Sequence, residues 1–248
     1  MDLQWVIAVF MLVFALNFNL FYLIIIGKIK SVLKSTELWC FVTIVAISIG
    51  VIAVNIHKMY DSIEEVLRFT TFQVSSIIST TGYATTDFDL WPGLSKAVLM
   101  LLMIVGGCAG STAGGLKVSR VILLIKSVFR EFKKLLHPRS VRIVKLEGKR
   151  VDEQVLTATA SYFVIYILMI ISIFILLSIE PFSIETNLSA TLACFNNIGP
   201  GFGTVGPTLS YSEYSAFSKI ILSIAMLLGR LEIFPLILGL NPLIWKKR

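Results

Sequence analysis

The chain has 248 residues, of which 56% are hydrophobic and only 15% charged. Soluble domains average about 45–50% apolar and about 25% charged residues. Disorder is therefore excluded, a water-soluble domain is disfavoured, and a multi-spanning membrane protein fits. The net charge of +7 and pI near 9.4 then mark cytoplasmic loops rather than a nucleic-acid partner. Cys40, Cys108 and Cys194 lie far apart in apolar or glycine-rich surroundings. They form neither a disulfide framework nor a zinc site and read as small buried residues.

In chain order, residues 3–26 form the first apolar run long enough to span a bilayer. It has no basic segment before it and no small-x-small site after it, so it reads as a span and not a signal peptide. Residues 39–56 are the second span. Residues 97–129 are a third, interrupted by the glycine-rich stretch 106–115. Residues 155–179 and 217–240 are the fourth and fifth.

Two further segments, 63–79 and 186–196, are mildly apolar, rich in Ser and Thr, and too short or polar to span. Each ends in a glycine-bearing turn, STTGY at 79–83 and NNIGPG at 196–201. Irregular backbone at membrane depth survives only where it lines a watery cavity or is buried in protein. Both segments are predicted to be re-entrant pore helices followed by filter-like loops. Glu64 and Glu65 near the first start, and Glu185 and Thr186 near the second, suit the positive end of a helix dipole.

The distribution of Lys and Arg sets the orientation. Segments 28–38, 117–150 and 246–248 hold seventeen of them, while 57–93 and 180–215 hold only Lys58 and Arg68. The positive-inside rule makes the seventeen cytoplasmic. With five spans the N-terminus is outside and the C-terminus cytoplasmic, and both re-entrant loops enter from outside. The rival reading of 117–150 as a nucleic-acid patch lacks interleaved aromatics apart from Phe129 and Phe132.

SKAVLMLLMIVG at 95–106 repeats as SKIILSIAMLLG at 218–229, an offset of 123. Gly82 and Gly199 of the preceding loops are offset by 117, so the second connection is six residues longer. The unit span–pore helix–filter–span therefore occurs twice, in one orientation. Parallel repeats about an axis along the membrane normal suit a pore. The fold class is accordingly an all-α polytopic membrane protein with two complete units and one preceding helix. The predicted divisions are 1–37 (last helix of a preceding unit and its loop), 38–130 (a pore unit with a broken second helix), 131–150 (a basic cytoplasmic linker) and 151–248 (a second pore unit).

A cation crossing hydrocarbon must have its hydration shell replaced, and backbone carbonyls can do so. Thr80, Thr81, Gly82 and Tyr83, with Asn197, Ile198, Gly199 and Pro200, are the candidate filter. Carbonyls at Thr80, Thr81, Asn197 and Ile198 are the expected potassium positions. The stretch 110–117 is a near miss for a phosphate-binding loop, because Leu116 separates the last glycine from Lys117 and no strand precedes it. Gly199–Gly203 likewise lacks a dinucleotide-binding context. Close helix packing through small residues is one reading of 106–115. A broken helix under the filter is the other. Arg230 in the fifth span is costly and by default functional, and Glu232 two residues on does not share its face. His57 reads as interfacial. The sequon Asn187-Leu-Ser189 falls inside a pore helix and is discounted. No nucleophile–base pairing appears, so no enzyme and no bound cofactor is expected.

STTGY at 79–83, GGCAGSTAGGLKVSR at 106–120, NNIGPGFG at 196–203 and GRLEIF at 229–234 together resemble the Trk/Ktr/HKT superfamily of potassium transporters, closest to the bacterial TrkH type. The resemblance implies potassium uptake through a pore ringed by four such units. The chain looks like the C-terminal half, completed by N-terminal pore units or by a second copy. It implies a plasma (inner) membrane location, a homodimer, and a cytoplasmic nucleotide-binding regulatory subunit docking near 117–150. It also implies an intramembrane gate at 106–115, comprising Gly106, Gly107, Gly110, Ser111, Thr112, Gly114 and Gly115 with Lys117, and a barrier at Arg230 below the filter. A self-contained channel of two half-chains and a non-conducting scaffold are the rival functions.

Overall fold

The structure, a computed structural model, describes residues 2–137 and 143–230. Among the described residues, two helices are long and apolar enough to cross a membrane unaided, α4 (Thr36–Ile56) and α8 (Glu153–Leu177). At 1.5 Å per residue they extend roughly 31 and 37 Å, which matches a bilayer core. Ser35 starts α4 by accepting the Leu38 amide. Each long helix buries one stripe and leaves large apolar side chains exposed on the others, such as Val42, Ile47 and Val54 on α4 and Val164, Leu168 and Ile175 on α8. Lipid, not water, is the solvent such surfaces suit.

The expected first span is not one straight helix. Residues 3–26 fold as α1 (Asp2–Phe14) and α2 (Phe18–Ile25), bent by 93° between them. The physical cause is Asn17, whose side chain accepts the Asn19 amide and caps α2 as a new helix start. A short α3 (Ile29–Leu33) leads into α4.

The first pore helix, α5 (Ile63–Ile78), begins at Ser62, which accepts the Glu65 amide. It is buried along nearly its whole second half, packed on α1, α4 and α6 (Gly93–Val105). The expected third span is split as the glycines foretold. α6 ends at Val105, and an amphipathic α7 (Val118–Leu136) follows after twelve residues of irregular backbone. Next come the two-residue strands β1 (Lys145–Leu146) and β2 (Lys149–Arg150), paired antiparallel. Glu147 and Gly148 form their turn with φ of 50° and 74°, the geometry of a tight hairpin.

The second pore helix is α9 (Ile184–Phe195), capped by Ser183 through the Thr186 amide. It packs on α8, on α6 and on α10 (Ala216–Arg230). α10 is the start of the expected fifth span; residues 231–240 of that span lie outside the described residues. A single core joins the two repeats. Phe88 of the first meets Phe202 of the second edge to face, with centroids 5.5 Å apart and both rings fully buried. Beside them Lys96 bridges Asp89 at 3.0 Å and Glu185 at 3.1 Å, and Asp89 also accepts the Gly203 amide at 3.1 Å.

Candidate functional site

α5 and α9 aim their C-termini, the negative ends of their dipoles, at one place. There the chain makes the same turn twice. Thr80 and Asn197, 117 residues apart, both adopt left-handed backbone, with φ of 55° and 57°. In the first turn Thr80 N–H donates to Ile77 O (3.1 Å) and Thr81 N–H to Ser76 O (2.9 Å). In the second, Asn197 N–H donates to Cys194 O (3.0 Å) and Ile198 N–H to Ala193 O (2.8 Å). These are the closing bonds of a helix end. Asn tolerates that conformation, whereas a β-branched Thr there is strained by about 1–3 kcal/mol.

The two turns touch. A Cβ on Gly82, which has φ of 78°, would stand 2.0 Å from the carbonyl oxygen of Ile198 and 3.1 Å from the Pro200 ring. Only glycine permits that approach. Gly199 has φ of 115°, and its missing Cβ points into open space. Ser76 hydroxyl donates to Tyr83 O at 2.6 Å and Tyr211 hydroxyl to Gly199 O at 2.7 Å, fixing the carbonyls downstream of each turn. The eight candidate filter residues are thus brought together as a facing pair.

Directly against this pair lies the 106–115 loop. Its ends are pressed together: a Cβ on Gly106 would sit 2.2 Å from Gly114 O. Leu116 and Lys117 amides return to Ile104 and Val105 carbonyls, both at 3.0 Å, and satisfy the open end of α6. Gly114 N–H donates to the Thr80 hydroxyl at 2.8 Å. The position a Gly114 Cβ would take is 2.3 Å from Asn196 O. The loop therefore abuts both pore-helix ends. The buried Asn196 side chain accepts the Tyr166 hydroxyl of α8 at 2.9 Å.

The bend between α1 and α2 holds the loop from the side. Cys108 N–H donates to Ala15 O (2.9 Å), Phe18 N–H donates to Gly110 O (3.1 Å), and the Thr112 hydroxyl donates to Phe14 O (3.3 Å). Backbone groups that a broken helix leaves unpaired are here matched between two breaks. From α10, Arg230 Nη1 donates to Thr112 O at 3.1 Å. Lys117, itself at φ of 77°, donates through Nζ to Ala113 O. A polar cavity of about 320 Å³ lies against the loop, lined by Ser111, Thr112, Lys117, Arg120, Tyr162 and Arg230 among others. The Arg120 guanidinium stacks over Tyr162 at 4.0 Å. The residues expected from the sequence to gate are all in this one neighbourhood; Glu232 lies outside the described residues.

The remaining candidates are peripheral. Glu64 and Glu65 stand in the first turn of α5 but pair with Arg68, at 3.1 and 3.9 Å. Glu185 is in the first turn of α9 and pairs with Lys96. His57 is exposed at the end of α4. Asn187 is buried and accepts the Tyr214 hydroxyl at 2.8 Å, out of reach of a glycan. Two contributors were not singled out from the sequence. One is the bend at residues 15–17, whose local sign is Asn17 and Asn19 in an apolar run. The other is Glu37, buried at 7% exposure, whose Oε1 accepts the Ala109 amide at 2.7 Å. A carboxylate in a first helical turn is common, so nothing marked it.

Two short buried helices ending in a repeated turn, a loop against both turns, and long helices with apolar exposed faces define a polytopic membrane protein. The chain belongs to the TrkH family of cation transport proteins, whose family model matches residues 2–244. It is 34% identical over 248 residues to the Trk system potassium uptake protein TrkH of Salmonella typhimurium, covering 98% of this chain and 50% of that protein. It is 34% identical over 243 residues to the Trk system potassium uptake protein TrkG of Escherichia coli K12, covering 96% and 49%. Among solved structures, the potassium transporter TrkH from Vibrio parahaemolyticus superposes with a TM-score of 0.88 at 33% identity, over 98% of this chain and 53% of that one. The chain spans about half the length of the curated relatives it matches.

Proposed function

We propose that the chain supplies two of the filter-bearing units of a potassium uptake pore in the plasma (inner) membrane, with its N-terminus outside and its C-terminus cytoplasmic. The observation that carries this reading is the pair of like turns at Thr80–Gly82 and Asn197–Gly199, converging at the negative ends of α5 and α9. Carbonyls at Thr80, Thr81, Asn197 and Ile198 replace the water of a potassium ion, which is the substrate. No bond is made or broken, so the chain acts as a transporter, not an enzyme. The 106–115 loop is the gate and Arg230 holds it shut while opposing cations in the cavity below.

Two units cannot close a ring, so they work with further pore units or with a second copy, as a homodimer. The basic segment 117–150 is the dock for a cytoplasmic nucleotide-binding regulator. The functional divisions are 1–37, 38–130, 131–150 and 151–248. The test is potassium against sodium flux in Gly82→Ser and Gly199→Ser variants of the complete protein. Both are expected to lose potassium preference, Gly82→Ser by collision with Ile198 O and Gly199→Ser by strain and a side chain in the path. Unchanged discrimination in both variants overturns the filter assignment.

A further inference from the structure

The hairpin β1–β2 is not a free cytoplasmic flap. Lys126 Nζ of α7 donates to Lys145 O at 2.9 Å, and Val144 is buried against Leu123 and Leu156. At the hairpin turn, Glu147 Oε1 accepts two bonds from the start of α4. One comes from the Ser35 hydroxyl at 3.0 Å, the other from the Glu37 amide at 3.1 Å. Glu37 then turns its own carboxylate the opposite way. Its Oε1 accepts the Ala109 amide of the 106–115 loop at 2.7 Å, and its Oε2 accepts Asn17 Nδ2 at 3.4 Å. One residue thus contacts the cytoplasmic hairpin through its backbone and the intramembrane loop through its side chain.

We infer that Glu37 is a positioning residue for the loop, a latch that ties the state of the 145–150 hairpin to the seating of residues 108–110. This rests on the reading of 106–115 as a gate for its consequence on flux, but not for the mechanical link itself. The chemistry favours a carboxylate. A charge-assisted bond to an amide is about twice as strong as a neutral one, and Glu37 is buried where water competes poorly. The Ala109 amide sits in backbone with no helical partner, so losing Glu37 orphans it. A partner that pulls on the basic segment shifts Glu147, loosens the first turn of α4 and withdraws the carboxylate from Ala109.

Cys108, fully buried and adjacent to Ala109, is a native reporter. The experiment uses the complete protein in liposomes with Cys40, Cys194 and every other cysteine except Cys108 replaced by Ser or Ala, so that Cys108 is the reacting thiol. The rate of its modification by a small methanethiosulfonate reagent is read alongside potassium flux. Glu37→Ala is expected to speed modification by about tenfold or more. Glu37→Gln, which keeps an oxygen for the Ala109 amide, stays within about threefold of the parent. Glu147→Ala speeds modification by a smaller factor, and the double variant is no faster than Glu37→Ala, because the two act in series. A Glu37→Ala rate equal to the parent, a Glu37→Gln rate equal to Glu37→Ala, or fully multiplicative effects of Glu37 and Glu147 each overturn the latch. If Glu37→Ala fails to accumulate as folded protein, Glu147→Ala decides, and an unchanged Cys108 rate there overturns it. Faster modification with unaltered flux upholds the latch and removes the gate reading instead.

Discussion

Gly114 is the position where one methyl group tests how the loop is seated. The methyl of Gly114→Ala would stand 2.3 Å from Asn196 O and 3.6 Å from the Thr80 methyl, and the first contact is well inside van der Waals range. Asn196 cannot retreat easily. Its amide is bonded to Leu192 O at 3.0 Å and its side chain to Tyr166, in a buried site at the end of α9. The loop must therefore move, and it loses the 2.8 Å bond from Gly114 N–H to the Thr80 hydroxyl. Overpacking of about 1–3 kcal/mol and a lost hydrogen bond of about 1 kcal/mol together disfavour the seated loop by roughly 2–4 kcal/mol. That changes the seated-to-unseated ratio by about 30-fold or more. The assay is rubidium or potassium flux into liposomes holding equal amounts of folded protein. Flux is expected to rise with potassium-over-sodium preference retained, because the turns at Thr80 and Asn197 keep their own closing bonds. Unchanged or reduced flux at normal folded yield refutes the argument that the seated loop obstructs permeation.

Arg230→Ala removes an exposed bond to Thr112 O, worth less than about 1 kcal/mol, together with the positive charge beside the cavity. Cation uptake is expected to rise about fivefold at unaltered expression, and uptake that stays level or falls counts against a pore-facing barrier. Tyr166→Phe leaves the buried Asn196 amide oxygen without its donor, so the melting temperature in detergent should drop by roughly 2–8 °C; an unshifted melt would refute this. Glu180 accepts bonds from Ser215 and Ser218 (3.1 and 2.6 Å), which hold its carboxyl below the ordinary range. The stabilisation is present above the ordinary carboxylate pKa and is lost as pH falls through the lower folded value. Acidification should thus destabilise the parent more than Glu180→Gln, as read by thermal melts between about pH 6 and pH 3; parallel melting curves would refute it.

Elements whose cause is local were legible. The pore helices announce themselves as short Ser/Thr-rich apolar segments closed by glycine, and the 117-residue offset predicts that Thr80 and Asn197 share a turn, as their φ values show. The break after Val105 follows from five glycines within ten residues. What escaped is non-local. Residues 3–26 are uniformly apolar, and hydropathy registers burial in lipid, not direction, so a 93° bend leaves no trace in it. Its stability comes from bonds to Cys108, Gly110 and Thr112, some ninety residues away. Glu37 is hidden likewise, since its partner Ala109 offers only a backbone amide. The hairpin at 145–150 did have a signal, Glu147-Gly148 between Lys145-Leu146 and Lys149-Arg150, overshadowed by the surrounding positive charge.

The Asp89–Lys96–Glu185 bridge has a bearing on sidedness. In the orientation proposed above, the outer ends of the two repeats are joined by ion pairs, the Gly203–Asp89 bond and the Phe88–Phe202 contact. On the opposite, proposed inner, side the 106–115 loop is held by hydrogen bonds, many of them to backbone atoms. Stiffness is thus graded across the membrane. If 106–115 is the gate, an extracellular blocker is expected to bind the open and shut states with one affinity, and a clear difference between them counts against it. A cytoplasmic blocker meets a surface that rearranges, so its block should vary with the state of the protein.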